Sequence, residues 1–131
     1  MARLQITGFD HLVLRCRDVE TSLNWYVDVL GLEPVRVEEW RQGAVPFPSV
    51  RLSAESIIDL IPADGPVAER NVDHFCVVAD RASVDAVAAG NGTLFNVVAG
   101  PVTRFGAKGD GWSVYVTDPD ENMIEIRTYD G

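Results

Sequence analysis

The sequence predicts an α+β protein built from one small unit used twice. Three observations carry this. A strand, a helix and about three further strands run through the first half, and the same order restarts in the second. The only two histidines of the 131 residues, His11 and His74, each follow an aspartate at the head of a short apolar run, 63 residues apart. Near the end of each half an acid interrupts an apolar strand: Asp59 in IIDLI and Glu125 in MIEIR, 66 residues apart. A loop absorbs the difference between the two offsets.

The elements follow in order. ITGFDHLVLRC reads as a strand. DVETSLNWYVDVLG reads as a helix, capped by Asp18, with Glu20 in its first turn and Gly31 at its end. Leu23, Tyr26, Val27 and Leu30 form its apolar stripe. EPVRVEEW, PSVRLSA and SIIDLIP read as three strands, with turn formers such as RQGAVP between them. PADGPVAERN reads as a linker. VDHFCVVAD then opens the second half as a strand, ASVDAVAAG is a helix ended by Gly90, and TLFNVVAGPV, GWSVYVTD and NMIEIRTYD supply more strands. The expected organisation is one domain with a first module at about residues 4–62, a linker at about 63–71 and a second module at about 72–130.

Composition narrows the function classes. Hydrophobic residues make up 47% and charged residues 24% of the chain, as in soluble globular proteins. No apolar run is long enough to span a bilayer, and the N-terminus has no signal-peptide pattern, so a cytoplasmic location and no membrane partner are expected. The formal net charge of −9 argues against nucleic-acid binding, which needs a basic face. Cys16 and Cys76 form no CxxC motif, which excludes a zinc ribbon or redox pair; two buried, reduced thiols are expected.

Strand alternation turns the repeat into chemistry. Side chains of a strand point to opposite faces in turn. Leu12 and Leu14 pack under the first helix, leaving His11, Val13 and Arg15 on the other face. Phe75 and Val77 pack under the second, leaving His74, Cys76 and Val78. Glu125 and Arg127 oppose Ile124 and Ile126, and Asp59 opposes Ile58 and Leu60. A carboxylate flanked by aliphatic residues in mid-strand is costly to bury unless paired or metal-bound. Two imidazoles with one or two carboxylates suit a divalent Zn, Ni, Mn or Fe ion, with waters completing the shell. Singly, each histidine reads as an ordinary strand residue. The matched placement of both histidines and both acids is what points to a shared site.

Other residues keep two readings. Tyr115 is a hydrogen-bond donor to substrate or a buried tyrosine bonded to backbone. Arg15 and Arg127 are an anion clamp or rim cations paired with acids. The segment GPVTRFGAKGDGW, with Arg104 and Lys108, is a mobile lid bearing substrate contacts or a plain flexible connection. Trp25 belongs to the core or to an interface. Free sheet edges and apolar faces predict a symmetric homodimer.

The chain resembles the vicinal oxygen chelate superfamily, which includes glyoxalase I, bleomycin-resistance proteins, fosfomycin-resistance enzymes and extradiol ring-cleaving dioxygenases. DHLVLRCRDVETSLNWYVDVLGLEPV resembles the family's opening strand and helix, and YVTDPDENMIEI its closing hairpin. The resemblance covers nearly the whole chain and implies two βαβββ modules in a curved mixed sheet that cups a divalent metal. It implies His11, His74 and Glu125 as ligands, with Asp59, one methylene shorter than the usual glutamate, at the place of a fourth. Glu121 stands where the hairpin often has glycine, so a positive φ there carries modest strain. The function implied is a metal-dependent, glyoxalase-like lyase or isomerase, with Glu125, Asp59 and Tyr115 as catalytic candidates and a small substrate that chelates the metal through adjacent oxygens. The alternatives are an extradiol-type dioxygenase and a metal-free binder of the bleomycin-resistance type. The cup is completed within one chain or across two.

Overall fold

A computed structural model describes residues 5, 9–64, 72–90, 94–106 and 108–130. The chain divides into two compact units, Met1–Gly65 and Pro66–Gly131, each with its own four-stranded mixed sheet. This is the α+β class expected from the sequence. Most of the linker segment, residues 65–71, lies outside the described residues.

In the first unit β1 (His11–Cys16) leads into α1 (Val19–Asn24). Asp18 starts the helix because its carboxylate accepts the otherwise orphaned N–H groups of Glu20 and Thr21, at 3.1 and 3.4 Å. Over Trp25–Val29 the helix widens to five-residue hydrogen bonding, closed by Leu30 N–H donating to Trp25 O at 3.0 Å. Leu23 and Tyr26 of the expected stripe are buried, and Val27 and Leu30 are half-buried. The strands β2 (Glu33–Val35), β3 (Ser49–Ser53) and β4 (Ser56–Pro62) complete the sheet, in the order β1-β4-β3-β2.

One strand expectation is corrected here. EPVRVEEW is extended only to Val35; Arg36 adopts a left-handed conformation, φ 59°, and Val37–Arg41 forms a short helix, α2. Glu38 and Glu39 in its first turn and Arg41 in its last suit the helix dipole. Arg41 ties α2 to α1 through both oxygens of Glu20, at 2.8 and 3.1 Å. No residue of α2 is buried, so the segment carries no apolar helical stripe to read.

The second unit repeats the plan with β5 (His74–Val78), α3 (Arg81–Ala88), β6 (Asn96–Gly106), β7 (Gly109–Thr117) and β8 (Met123–Thr128), in sheet order β5-β8-β7-β6. Asp80 caps α3 by accepting Ser83 N–H at 2.8 Å, and Val84 and Val87 are its buried face. The segment expected to be a loop or lid is instead the end of a hairpin. Thr103, Arg104 and Phe105 pair with Trp112, Gly111 and Asp110. Backbone pairing satisfies the polar groups that a lid would leave to solvent. A register shift between Ala99 and Val102 marks a bulge. Gly100 is required there: its φ is +88°, and a Cβ would meet Ser113 O at 2.5 Å.

The two registers match residue for residue. β1 pairs parallel with β4, setting Val13 beside Asp59; β5 pairs parallel with β8, setting Cys76 beside Glu125. In both units the histidine therefore sits two positions before the carboxylate's neighbour. Below each sheet the opposite faces form the cores, with Leu14, Val50, Ile58 and Leu60 in one and Val114, Val116, Ile124 and Ile126 in the other. Burying each such side chain contributes about 1.5–3 kcal/mol. No helix among the described residues is long and apolar enough to cross a membrane.

The turn from β7 to β8 delivers Glu125 to its place. Asp118 Oδ1 accepts the N–H groups of Asp120 and Asn122, both at 2.8 Å, and its Oδ2 accepts the Asn122 side-chain amide at 2.9 Å. The fold of this turn puts Glu121 at φ 66°, the conformation in which a side chain is strained. Replacing Glu121 by glycine removes that strain at some entropic cost. The expected net gain is about 0.5–1 kcal/mol, or a rise of about 2–5 °C in Tm. Glu121→Ala gives no such gain; a thermal melt of the three proteins checks this.

Candidate metal centre

Each unit presents a histidine on an outer strand of its sheet with a buried carboxylate on the adjoining strand. His11 and His74 are exposed, whereas Asp59 and Glu125 are 8% and 4% accessible. The preceding aspartate orients each ring. His11 Nδ1 lies 2.7 Å from Asp10 Oδ2, and His74 Nδ1 lies 2.7 Å from Asp73 Oδ1. An aspartate at Nδ1 fixes the tautomer that leaves Nε2 as the donor atom, the usual support of a metal-bound histidine. The hydrogen bond from Asp10, outweighing slight desolvation and helped by the charge of Asp59, holds the His11 pKa above its ordinary 6.5.

Glu125 is held chiefly through Oε2, with Tyr115 a further hydrogen-bond partner of the carboxylate, and it turns Oε1 toward His74. Its Oε2 accepts from Ser113 Oγ at 2.7 Å and from Arg127 Nη2 and Nε at 2.9 and 3.3 Å. Its Oε1 lies 3.3 Å from His74 Nε2. Burial pushes the Glu125 pKa up, but Ser113 and Arg127 outweigh it and hold the carboxyl below the usual range. Two donors bound at about 2.1 Å and roughly at right angles lie about 3 Å apart, so this pair fits neighbouring positions around one divalent cation. The donors, an imidazole nitrogen and an ionised carboxylate, suit the same group of ions.

In the first unit Asp59 accepts from Ser49 Oγ at 2.6 Å. It acts on His11 through its charge and makes no ion pair with it of the kind joining His74 and Glu125. Asp59 and Glu125 are thus both served by serines, but from different places. Ser49 is directly across from Asp59, whereas Tyr115 holds the corresponding place across from Glu125 and Ser113 reaches in from two residues away.

The remaining site residues fall as follows. The Tyr115 ring meets the His74 ring edge-on, 5.8 Å between centroids. Burial first, then the charge and hydrogen bonding of Glu125, raise its pKa. Arg15 is exposed on the His11 face of β1. Arg127 is buried, with donors on Glu125, Tyr129 and the carbonyls of Arg104 and Phe105. Arg104 is exposed near the end of β6, its Nη1 bonding Thr103 O at 3.0 Å. Lys108, at the hairpin end, lies 6.0 Å over the Tyr129 ring. Trp25 is half-buried and packs edge-on against Tyr26. Among the described residues no three His, Cys, Asp or Glu side chains converge as a metal site.

The roles of Asp10, Asp73, Ser49, Ser113 and Tyr129 emerge only with the tertiary structure. The repeated Asp-His dipeptide was a signal for the first two. Ser-Val at the start of PSVRLSA and within GWSVYVTD hinted at the serines.

Comparison with known proteins now decides the family. The model of the Glyoxalase/Bleomycin resistance protein/Dioxygenase superfamily matches residues 8–126. The chain belongs to this superfamily. A virulence protein of Salmonella typhimurium is 30% identical over 125 residues, covering 95% of this chain and 85% of that one. A glyoxalase domain-containing protein of Mycosarcoma maydis is 31% identical over 127 residues, covering 97% and 71%. Among solved structures, an integron cassette protein from the V. cholerae mobile metagenome superposes with a TM-score of 0.76 at 28% identity, covering 98% of this chain and all of that one. Within the superfamily's fold, the first and last strands of each module are those that carry the histidines and the acids here.

The buried-thiol expectation holds for Cys16, 2% accessible, and fails for Cys76, which is exposed. Alternation along β5 puts Cys76 on the same face as His74, away from α3. Desolvation beside the site and the charge of Glu125 push its thiol pKa up to about 11. In chelator-treated protein, iodoacetamide is therefore expected to alkylate Cys76 at pH 8 at least about tenfold more slowly than a free cysteine. Peptide mapping reads the site, and Glu125→Gln should quicken the reaction.

Proposed function

We propose that the protein is a divalent-metal-dependent enzyme of the vicinal oxygen chelate type. His11, His74 and Glu125 hold the cation, and a small substrate chelates it through two adjacent oxygens in a glyoxalase-like isomerisation or lyase reaction. The observation that carries this is the state of Glu125. A buried carboxylate, ionised and clamped by one oxygen, presents the other oxygen beside an imidazole whose far nitrogen is already committed to an aspartate. A purely structural ion pair has no need of that orientation, and a ligand binder has no need of two Asp-supported histidines.

When bound, the cation supplies Lewis acidity toward a substrate oxygen. The chain's own groups do the rest. Asp59, held at Oδ1 by Ser49, moves a proton between adjacent substrate carbons. Tyr115, its pKa raised, keeps its hydroxyl proton and donates it as a hydrogen bond to a substrate oxygen. Arg15, Arg104 and Lys108 are the exposed cations available to an anionic substrate group. The site needs one first module and one second module, from one chain or from two chains of a homodimer in the cytoplasm.

A second reading rests on Asp59. Its short side chain, engaged by Ser49, favours a three-ligand set of His11, His74 and Glu125. Such a facial triad suits an extradiol-type dioxygenase, with Asp59 outside the shell.

Metal analysis of protein purified without chelator is expected to give about one equivalent of Zn, Ni, Mn or Fe per chain. His11→Ala, His74→Ala and Glu125→Gln each abolish that uptake while the fold melts cooperatively. Asp59→Ala leaves uptake within about threefold under the dioxygenase reading and lowers it by more than about tenfold if Asp59 is a ligand. Affinity falls on acidification from above pH 6.5, because the raised His11 pKa lets protons compete early. Less than about half an equivalent of metal in the wild-type protein sinks the enzyme reading in favour of a metal-free binder.

A further inference from the structure

We propose that Arg127 is a positioning residue. It restricts Glu125 to coordination through Oε1 alone and couples that choice to the end of the β6–β7 hairpin. The inference rests on the metal-dependent reading of Glu125.

The guanidinium of Arg127 is 3% accessible and fully engaged. Nε and Nη2 donate to Glu125 Oε2 at 3.3 and 2.9 Å. Nη2 also donates to the carbonyls of Arg104 and Phe105, at 3.3 and 3.1 Å, and Nη1 to the Tyr129 hydroxyl at 3.0 Å. Tyr129 in turn accepts the backbone N–H of Lys108 at 3.1 Å. The guanidinium therefore bridges two things that are far apart in sequence, the acid of the site and the backbone of the hairpin end.

Two consequences follow from hydrogen-bond chemistry. Oε2, shared by Ser113 Oγ and two guanidinium N–H groups, has its lone pairs spent, so a second bond from the same carboxylate to a cation must break a charge-assisted hydrogen bond. Glu125 is thereby set as a one-oxygen ligand with a fixed direction toward His74 Nε2. The hairpin end is likewise pinned, because residues 104, 105 and 108 contribute backbone atoms to the same network. Anything that draws on Arg104 or Phe105, which is 84% accessible, pulls on the group that aims the ligand.

Gly106 explains how the guanidinium reaches the carbonyls. A Cβ on Gly106 would collide with Arg127 Nη1 and Cζ and with the Tyr129 hydroxyl. Gly106 is not in a left-handed conformation, so alanine there keeps an ordinary backbone but displaces the Arg127 guanidinium and, with it, the Tyr129 hydroxyl. This substitution moves the positioning group without touching a ligand.

The experiment compares wild type, Arg127→Met, Arg127→Lys and Gly106→Ala. It measures Co(II) affinity by calorimetry, the Co(II) absorption spectrum, and the melting of the metal-free proteins. Arg127→Met is expected to bind Co(II) about 10–100-fold more weakly, the usual loss when a ligand's supporting partner is removed. Gly106→Ala is expected to lose about three- to tenfold, with the spectrum shifted toward that of Arg127→Met. Arg127→Lys retains the charge but not the two-pronged hold and falls between wild type and Arg127→Met. Should Arg127→Met fail to fold, Gly106→Ala and Arg127→Lys carry the test. Wild-type affinity and an unchanged spectrum in the folded variants, even with lowered Tm, overturn the positioning role while leaving the metal reading intact. A wild-type protein that takes up no Co(II) overturns the metal reading, and this proposal with it.

Discussion

A carboxylate in the middle of a buried strand is the constraint on which the second unit depends. Glu125 stands between Ile124 and Ile126, and all three are nearly inaccessible. Burying an ionised group without partners is prohibitive, so the surrounding elements are arranged to supply them. Ser113 comes from β7 and Arg127 from β8 itself, two residues on and therefore on the same face. The Arg127 charge is itself buried, and it is satisfied by the hairpin carbonyls and Tyr129. Removing one member of such a pair commonly costs about 3–5 kcal/mol, because the other charge is left uncompensated. The second sheet is thus tied together by a polar network along one face and an aliphatic layer along the other.

The first unit solves the same problem more cheaply. Asp59 is 8% accessible and has Ser49 as its close partner, and Ile61, not arginine, lies on the same face two residues after it. The duplicated plan has diverged at its acids. One half carries a long carboxylate with a complete set of supports, and the other carries a shorter one with a single hydroxyl. The histidines have not diverged in this way, since each keeps its aspartate at 2.7 Å. The contrast separates the ligands on which the proposed site relies from Asp59, whose place in it is open to experiment.

Much of this was legible because alternation and turn chemistry are local. The strand faces of β1, β4, β5 and β8 followed from period-two spacing, and the helix start at Asp18 obeyed ordinary capping. The family resemblance set Glu121 where the hairpin often has glycine, with strain implied if the turn takes a positive φ, and its φ is 66°. Failures came where a local pattern was ambiguous. VRVE alternates like a strand, yet the left-handed Arg36 within it breaks the run and the Glu20–Arg41 bridge holds Val37–Arg41 as a helix. The glycine-rich stretch after Gly100 has loop composition, but pairing with β7 extends it as strand to Gly106.

The sequence by itself determined the class, the repeat, and which four side chains share the polar faces, because these depend on spacing along one chain. It could not assign the partners of Glu125. Ser113 and the carbonyls of Arg104 and Phe105 lie 12 to 21 residues away, and they reach the Glu125–Arg127 pair only through the strand pairing of β6, β7 and β8. Which oxygen of a carboxylate is spoken for, and which is left to act, is settled by hydrogen-bond geometry across a sheet, and that geometry exists only once the strands have come together.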